Sequence, residues 1–314
     1  MTNFIKTDLI IILICTILAI FLCCYLLSRF YRFFKKKAKS GQTQLPEYIA
    51  NKHFLTADQY ELKTLGTVAK DSEYIILAVH DLYGAKENFT GLVNNAKLLN
   101  NKISVITFNQ RNIKDNVPAF IKNVGVLVND IFDVIMALKN KYEQQKIILL
   151  LERFSSSLIS LLLKKQPAIA KIILVNPVTN QKGIHFSISS KIGIGFGFIF
   201  NLNKLLKIHI DYQVLSENDS YSQLMLQKEQ TYFLNQILQF NYLNKRLVKQ
   251  LNKIKLSTLI IQTENDKFYN VRKATLINNK MIKTVKMPGA KHYLFIDKNI
   301  DDKILTEIIN LEQN

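Results

Sequence analysis

Hydroxyl, imidazole and carboxylate side chains support nucleophilic acyl chemistry when a fold brings them together. In this chain each of the three follows a short apolar run. Residues 146–151 (KIILLL) lead into Glu152-Arg153-Phe154-Ser155-Ser156-Ser157. Residues 258–262 (TLIIQ) lead into Thr263-Glu264-Asn265-Asp266, and residues 284–287 (TVKM) into Pro288-Gly289-Ala290-Lys291-His292. A further run, residues 73–79 (EYIILAV), leads into His80-Asp81-Leu82-Tyr83-Gly84. Each segment also has a plainer reading by itself. The serines begin and cap a helix, and Asp266 or His292 is a loop charge. Signals for other chemistries are weaker. Cys15, Cys23 and Cys24 all lie in one apolar segment, so the rest of the chain has no disulfide, thiolate metal site or cysteine nucleophile. His53, His185 and His209 lie apart, without metal-ligand spacing. There is no glycine-rich phosphate loop, and neither a metal nor a cofactor is expected.

The elements that must position these residues follow from the pattern of apolar runs. Short runs at 73–79, 103–108, 146–151, 171–175, 258–262 and 284–287 read as strands. Longer stretches at 87–99, 124–142 and 157–165 read as helices. Such alternation predicts an α/β fold with a mostly parallel sheet and helices on both faces. Sheets of this kind place their sites at the carboxyl ends of the strands, where Asp81, Glu152, Asp266 and His292 fall. Between 178 and 256 the alternation stops. This insert opens with KGIHFSISSKIGIGFGFIF and continues Lys-rich and helical, and a long insert after a sheet strand reads as a cap over the site. The expected organisation is an anchor with a basic flank (1–39), a linker (40–60), a first core part (61–177), the cap (178–256) and a second core part (257–314).

The anchor is residues 9–27, LIIILICTILAIFLCCYLL, which carry no charge and match a hydrocarbon core of about 30 Å. The flank that follows holds Arg29, Arg32, Lys35, Lys36, Lys37 and Lys39, interleaved with Phe30, Tyr31, Phe33 and Phe34. A cleaved signal would show its basic residues before the apolar run. The positive-inside rule puts this flank, and the chain beyond it, on the cytoplasmic face of the cell membrane. The net charge of +18 favours an anionic partner. Membrane lipids fit that role, and no nucleic-acid-binding motif supports the alternative. A hydrophobic content of 48% excludes a disordered chain.

Taken in order over about residues 60–310, these segments resemble the α/β-hydrolase superfamily. The stretch LSENDSYSQLMLQ (215–227) resembles its monoacylglycerol-lipase and lysophospholipase-like (serine aminopeptidase-type) branch. The resemblance implies the α/β-hydrolase fold with an inserted helical cap. It implies that His80-Asp81 stands at the family's His-Gly turn, so that backbone N–H groups at Asp81, Leu82 and Ser156 form an oxyanion hole. Asn109-Gln110-Arg111-Asn112 stands at an Asp-x-Arg-Gly turn, a structural feature in which Arg111 matches. Asp266 takes the triad acid position and His292 the general-base position. The nucleophile elbow, Gly-x-Ser-x-Gly-Gly in the family, departs from the pattern. Without gaps, Phe154 takes the nucleophile position, and Glu152 and Ser156 take positions of the flanking glycines. Sliding by one residue makes Ser155 the nucleophile. Three functions follow. One is a degenerate hydrolase-fold protein that binds a lipid or a protein partner. The alternative is a carboxylic-ester hydrolase acting on a lipid ester through Ser155, His292 and Asp266. A basic membrane-surface scaffold with a vestigial pocket is a third. The apolar start of the cap, 184–200, would admit acyl chains or dip into the bilayer. Acyl length, head group and oligomeric state are not encoded in any motif.

Overall fold

The computed structural model describes residues 2–34, 44–49, 52–96, 102–178, 188–199, 205–208, 230–263, 276–287, 293–296 and 306–308. Helix α1 (Thr2–Phe34) contains the apolar stretch Asp8–Leu27, of which none is buried against the rest of the chain. It is long and apolar enough to cross a membrane. A secretory signal meets the same criterion, so the helix alone defines a candidate span.

The chain then builds strands β1 (Glu47–Ile49), β2 (His53–Leu55), β3 (Glu61–Thr67) and β4 (Tyr74–Val79), short helix α2 (Thr90–Asn94) and β5 (Ile103–Phe108). After these come α3 (Val124–Lys141), β6 (Lys146–Glu152), α4 (Ile159–Leu162), β7 (Lys171–Val175) and α5 (Ile188–Ile199). Strands β8 (Leu205–Ile208) and β9 (Gln230–Phe233), helix α6 (Leu234–Leu251), β10 (Thr258–Thr263) and β11 (Ile282–Met287) complete the set described. One nine-stranded sheet runs β1-β2-β3-β5-β4-β6-β7-β10-β11, and β8-β9 pair separately. Strands β5, β4, β6, β7, β10 and β11 are parallel, while β1, β2 and β3 join antiparallel at one edge.

The near-continuous apolar runs are explained by burial on both faces. In β4, Ile75, Leu77 and Val79 face one core with Leu149, Leu151, Ile131 and Ile135. Ile76 and Ala78 face the other, with Ile148, Leu150, Phe89 and Phe295. A strand with helices on both sides has no polar face to alternate. The strand order reverses at β4: β5 lies on one side of it and β6 on the other. A parallel sheet opens a crevice at such a point, beyond the carboxyl ends of the strands.

Two stretches differ from the sequence expectation. Part of the segment read as a linker supplies β1 and β2, held by Tyr48 against Phe54 with ring centroids 4.6 Å apart. These strands are three residues each, too short for alternation to register. Of the helix expected at 87–99, residues 86–89 form a tight turn and 90–94 form α2, Ala96 is again helical, and 97–99 lie outside the described residues.

Candidate functional site

The ends of β4, β5 and β6 bring together His80, Asp81, Gln110, Glu152, Arg153 and Ser155, all buried. The turn from β6 into the following helical segment pivots on Arg153, whose φ is +50°. A non-glycine residue in the left-handed region is strained. The left-handed residue of the turn is therefore one before Phe154 and two before Ser155. The strand runs through Glu152, and tight helical turns begin at once at Arg153. The run of serines that draws the eye in the sequence lies inside the helical segment.

The three serine hydroxyls are engaged locally. Ser155 Oγ donates to the His80 carbonyl at 2.6 Å and accepts from Gln110 Nε2 at 3.2 Å. Ser156 Oγ donates to the Leu151 carbonyl and Ser157 Oγ to the Phe154 carbonyl. His80 is equally committed. Its Nε2 accepts from the Gln110 backbone N–H at 3.0 Å, which assigns the proton to Nδ1, 2.6 Å from the Asp81 carbonyl oxygen. Burial holds the imidazole well below its usual range, at about 4, so it is neutral.

Asp81 lies at the centre of the site. Its Oδ1 accepts the backbone N–H of Leu82 at 2.6 Å and that of Phe154 at 3.2 Å. Its Oδ2 lies 3.7 Å from Arg153 Nε. The Asp81 N–H donates to Glu152 Oε2 at 3.1 Å, an oxygen that also accepts from Asn88 Nδ2 at 2.6 Å. Burial first, and then the nearby Asp81 charge, push the Glu152 carboxyl up to about 8, so at neutral pH it is mostly protonated. Asp81, Leu82 and Ser156 were the residues expected to offer free oxyanion donors. The Asp81 and Leu82 N–H groups instead bond to carboxyl groups of the site itself, and the second donor converging with Leu82 is Phe154.

Above this cluster the space is aromatic. Phe154 packs edge-to-face on Tyr83 (5.3 Å) and on Phe240 of α6 (6.2 Å), and Tyr83 on Tyr232 of β9 (5.3 Å). Beside them is a cleft lined by residues including Leu82, Gln110, Ile113, Tyr232 and Gln236. Its interior holds only about 10 Å³, room for about one water and far below the roughly 300–1,000 Å³ typical of ligand pockets. Asp266 and His292 lie outside the described residues. Arg111 does form a structural turn: it grips Asp130 of α3 at 2.8 Å, reaches Asp58 at 2.5 Å and stacks over Tyr60. Sequence reasoning missed the carboxylate's position between two N–H groups, because nothing in a motif reports the rotamer of Asp81.

No protein-family model matches this chain, and no curated protein does. Among solved structures it is similar to a monoacylglycerol lipase from Paleococcus ferrophilus, with TM-score 0.63 and 15% identity over 81% of this chain and 100% of that one. It is similar to a soluble variant of monoglyceride lipase from Saccharomyces cerevisiae, with TM-score 0.63 and 13% identity over 88% and 96%. A bacterial membrane phospholipase A matches at TM-score 0.56 and 11% identity over 100% of this chain and 98% of that one. At these identities the likeness is one of fold, and the chain has the α/β-hydrolase fold.

Proposed function

We propose that this chain is a membrane-tethered member of the lipase- and esterase-like fold group that has lost serine-ester chemistry and serves as a lipid-binding protein. One observation carries the reading: the carboxylate of Asp81 accepts both N–H groups, Leu82 and Phe154, that converge at the β4 and β6 turns. An oxyanion hole works by keeping such donors free for charge that develops in the transition state. Here a resident negative charge holds them. The strained position where this fold presents its nucleophile is Arg153, which has no hydroxyl or thiol. Ser155, the best remaining nucleophile, is fully buried and donates its proton to a carbonyl. Lipid comes first among ligand classes because the similar structures are named for monoacylglycerol and phospholipid substrates and because α1 has the length and composition of a bilayer span.

A fluorophosphonate probe tests the loss of chemistry on the full chain in membranes. The expected result is no covalent labelling, with a labelled active lipase in the same tube as control. Labelling that disappears in Ser155→Ala would restore the Ser155, His292 and Asp266 hydrolase reading and overturn this one.

A further inference from the structure

We infer that the cleft between α4 and the C-terminal end of α6 is a binding site for an aliphatic carboxylate, its chain on an apolar floor and its head among three lysines. The inference rests on the lipid-binding reading for the class of ligand and on the cleft itself for the place. Beside Tyr232 there is room for about one water, so an acyl chain has no space there among the described residues. The cleft at α4 and α6 holds about 370 Å³, within the roughly 300–1,000 Å³ of ligand sites. It shares no residue with the buried cluster at the ends of β4, β5 and β6. Leu163 and Lys164 follow α4, and Ile254, Lys255 and Leu256 connect α6 to β10.

The lining has the two halves that an amphiphile needs. Ile159 and Ile254 are buried, and with Leu163 and Leu256 they form the apolar floor. Lys164, Lys253 and Lys255 stand exposed at its edge, and no acidic residue lines it among those described. Residues 153–178 and 230–263, which supply both walls, carry nine Lys or Arg and no Asp or Glu. On α3, packed against α4, Asp130 is taken by Arg111 and Asp133 by the Ala57 N–H. Beside them it is Lys165, not Lys164, that lies over the Phe132 ring. The C-terminus of α6 contributes about half a negative charge, which offsets only part of three ammonium groups. An anion completes this balance. Lysine stems can lie along apolar surface while their heads meet a charged group. A volume at the low end of the pocket range suits the smallest charged head, a carboxylate.

The test irradiates the full chain, in phosphatidylcholine nanodiscs, with a diazirine analogue of decanoate and maps the labelled peptides by mass spectrometry. Serum albumin in a parallel tube is the positive control. The expected adducts fall within 159–164 and 250–256, and excess decanoate suppresses them while excess decanol does not. A variant carrying Lys164→Gln, Lys253→Gln and Lys255→Gln together removes exposed charge without touching the floor. Its melting temperature should match the parent's, while labelling of the cleft falls about tenfold, the scale of three exposed ion pairs taken together. Absence of adducts in the cleft while albumin is labelled overturns the inference. So does suppression by decanol equal to that by decanoate, or undiminished labelling of the lysine variant. Fluorophosphonate labelling of Ser155 would overturn the loss of ester chemistry and leave this site standing, so the two readings fail separately.

Discussion

Asp81 sets a buried carboxyl group against the backbone N–H groups of Leu82 and Phe154. A carboxylate that accepts two backbone N–H groups beside a guanidinium is held by charge-assisted bonds. Asp81→Ala removes the acceptor and leaves buried donors, at a cost of about 1–3 kcal/mol for each group left unsatisfied. Formate has the same carboxylate and is small enough to replace it. The melting temperature of the Asp81→Ala chain is expected to fall, and then to rise with added formate by mass action, while the parent does not respond. Equal formate responses in both chains would mean that formate acts elsewhere than at the N–H groups of Leu82 and Phe154. Glu152 gives a second prediction at this scale. Its folded pKa of about 8 lies above the ordinary 4.5, so between these pH values the native chain holds a proton that the unfolded chain has released. Stability then falls as pH rises through that window. His80 acts oppositely: its lowered pKa of about 4, against 6.5, removes stability as pH falls through that range. Glu152→Gln stays neutral, so the stability difference between parent and variant should decline from pH 5 to 8, by at most about 1.4 kcal/mol per pH unit. Denaturant unfolding in detergent at each pH measures it, and a flat difference would mean that Glu152 titrates as it does unfolded.

Two connections between elements carry disproportionate weight. Arg111, at the end of β5, makes three hydrogen bonds to the Asp130 carboxylate on α3. Removing the guanidinium strands a buried carboxylate, and Arg111→Ala is expected to cost about 3–5 kcal/mol in urea unfolding; a loss under about 1 kcal/mol would place this pair among weak surface bridges. At β3 the same reasoning applies to backbone. Gly66 has φ +92°, and a Cβ there would meet the Val105 carbonyl oxygen at 2.3 Å. Gly66→Ala should therefore destabilise by about 2 kcal/mol or more, read as a shifted urea midpoint. These elements differ in how legible they were. The strands β5 and β7 stand where apolar runs predicted them, residue for residue, because burial on both faces forces an unbroken apolar run. Strand β3, ELKTLGT, paired on both sides by β2 and β5, went unread because most of its residues are polar or glycine and only partly buried. Arg111 was legible from its place after a strand. The elbow was not: Phe154 stood out as an apolar intruder in a serine-rich turn, whereas the left-handed residue is its neighbour, set by the strand ending one residue later than the apolar run implies.

At the scale of the whole molecule, the asymmetry of charge about α1 makes a testable prediction about which side of a membrane would hold the sheet. The apolar stretch Asp8–Leu27 is followed by six Lys and Arg residues between 29 and 39, against Lys6 alone before it. Charge bias within about 15–20 residues of a span sets its orientation, and cations beside an anionic leaflet add roughly 1 kcal/mol each. A cleaved secretory signal would send the same domain to the opposite side and shorten the chain. The expected outcome is a chain of full mass that resists carbonate extraction and whose soluble part is digested by protease only after the cells are opened. Neutralising Arg29, Arg32, Lys35, Lys36, Lys37 and Lys39 together should produce a mixed population, part of it digested in intact cells. That population separates orientation from fold, because all six residues precede the first strand of the sheet in the chain. A mass short by the first 27 or more residues would end the anchor reading, and with it the expectation that this site meets its lipid within the plane of a bilayer.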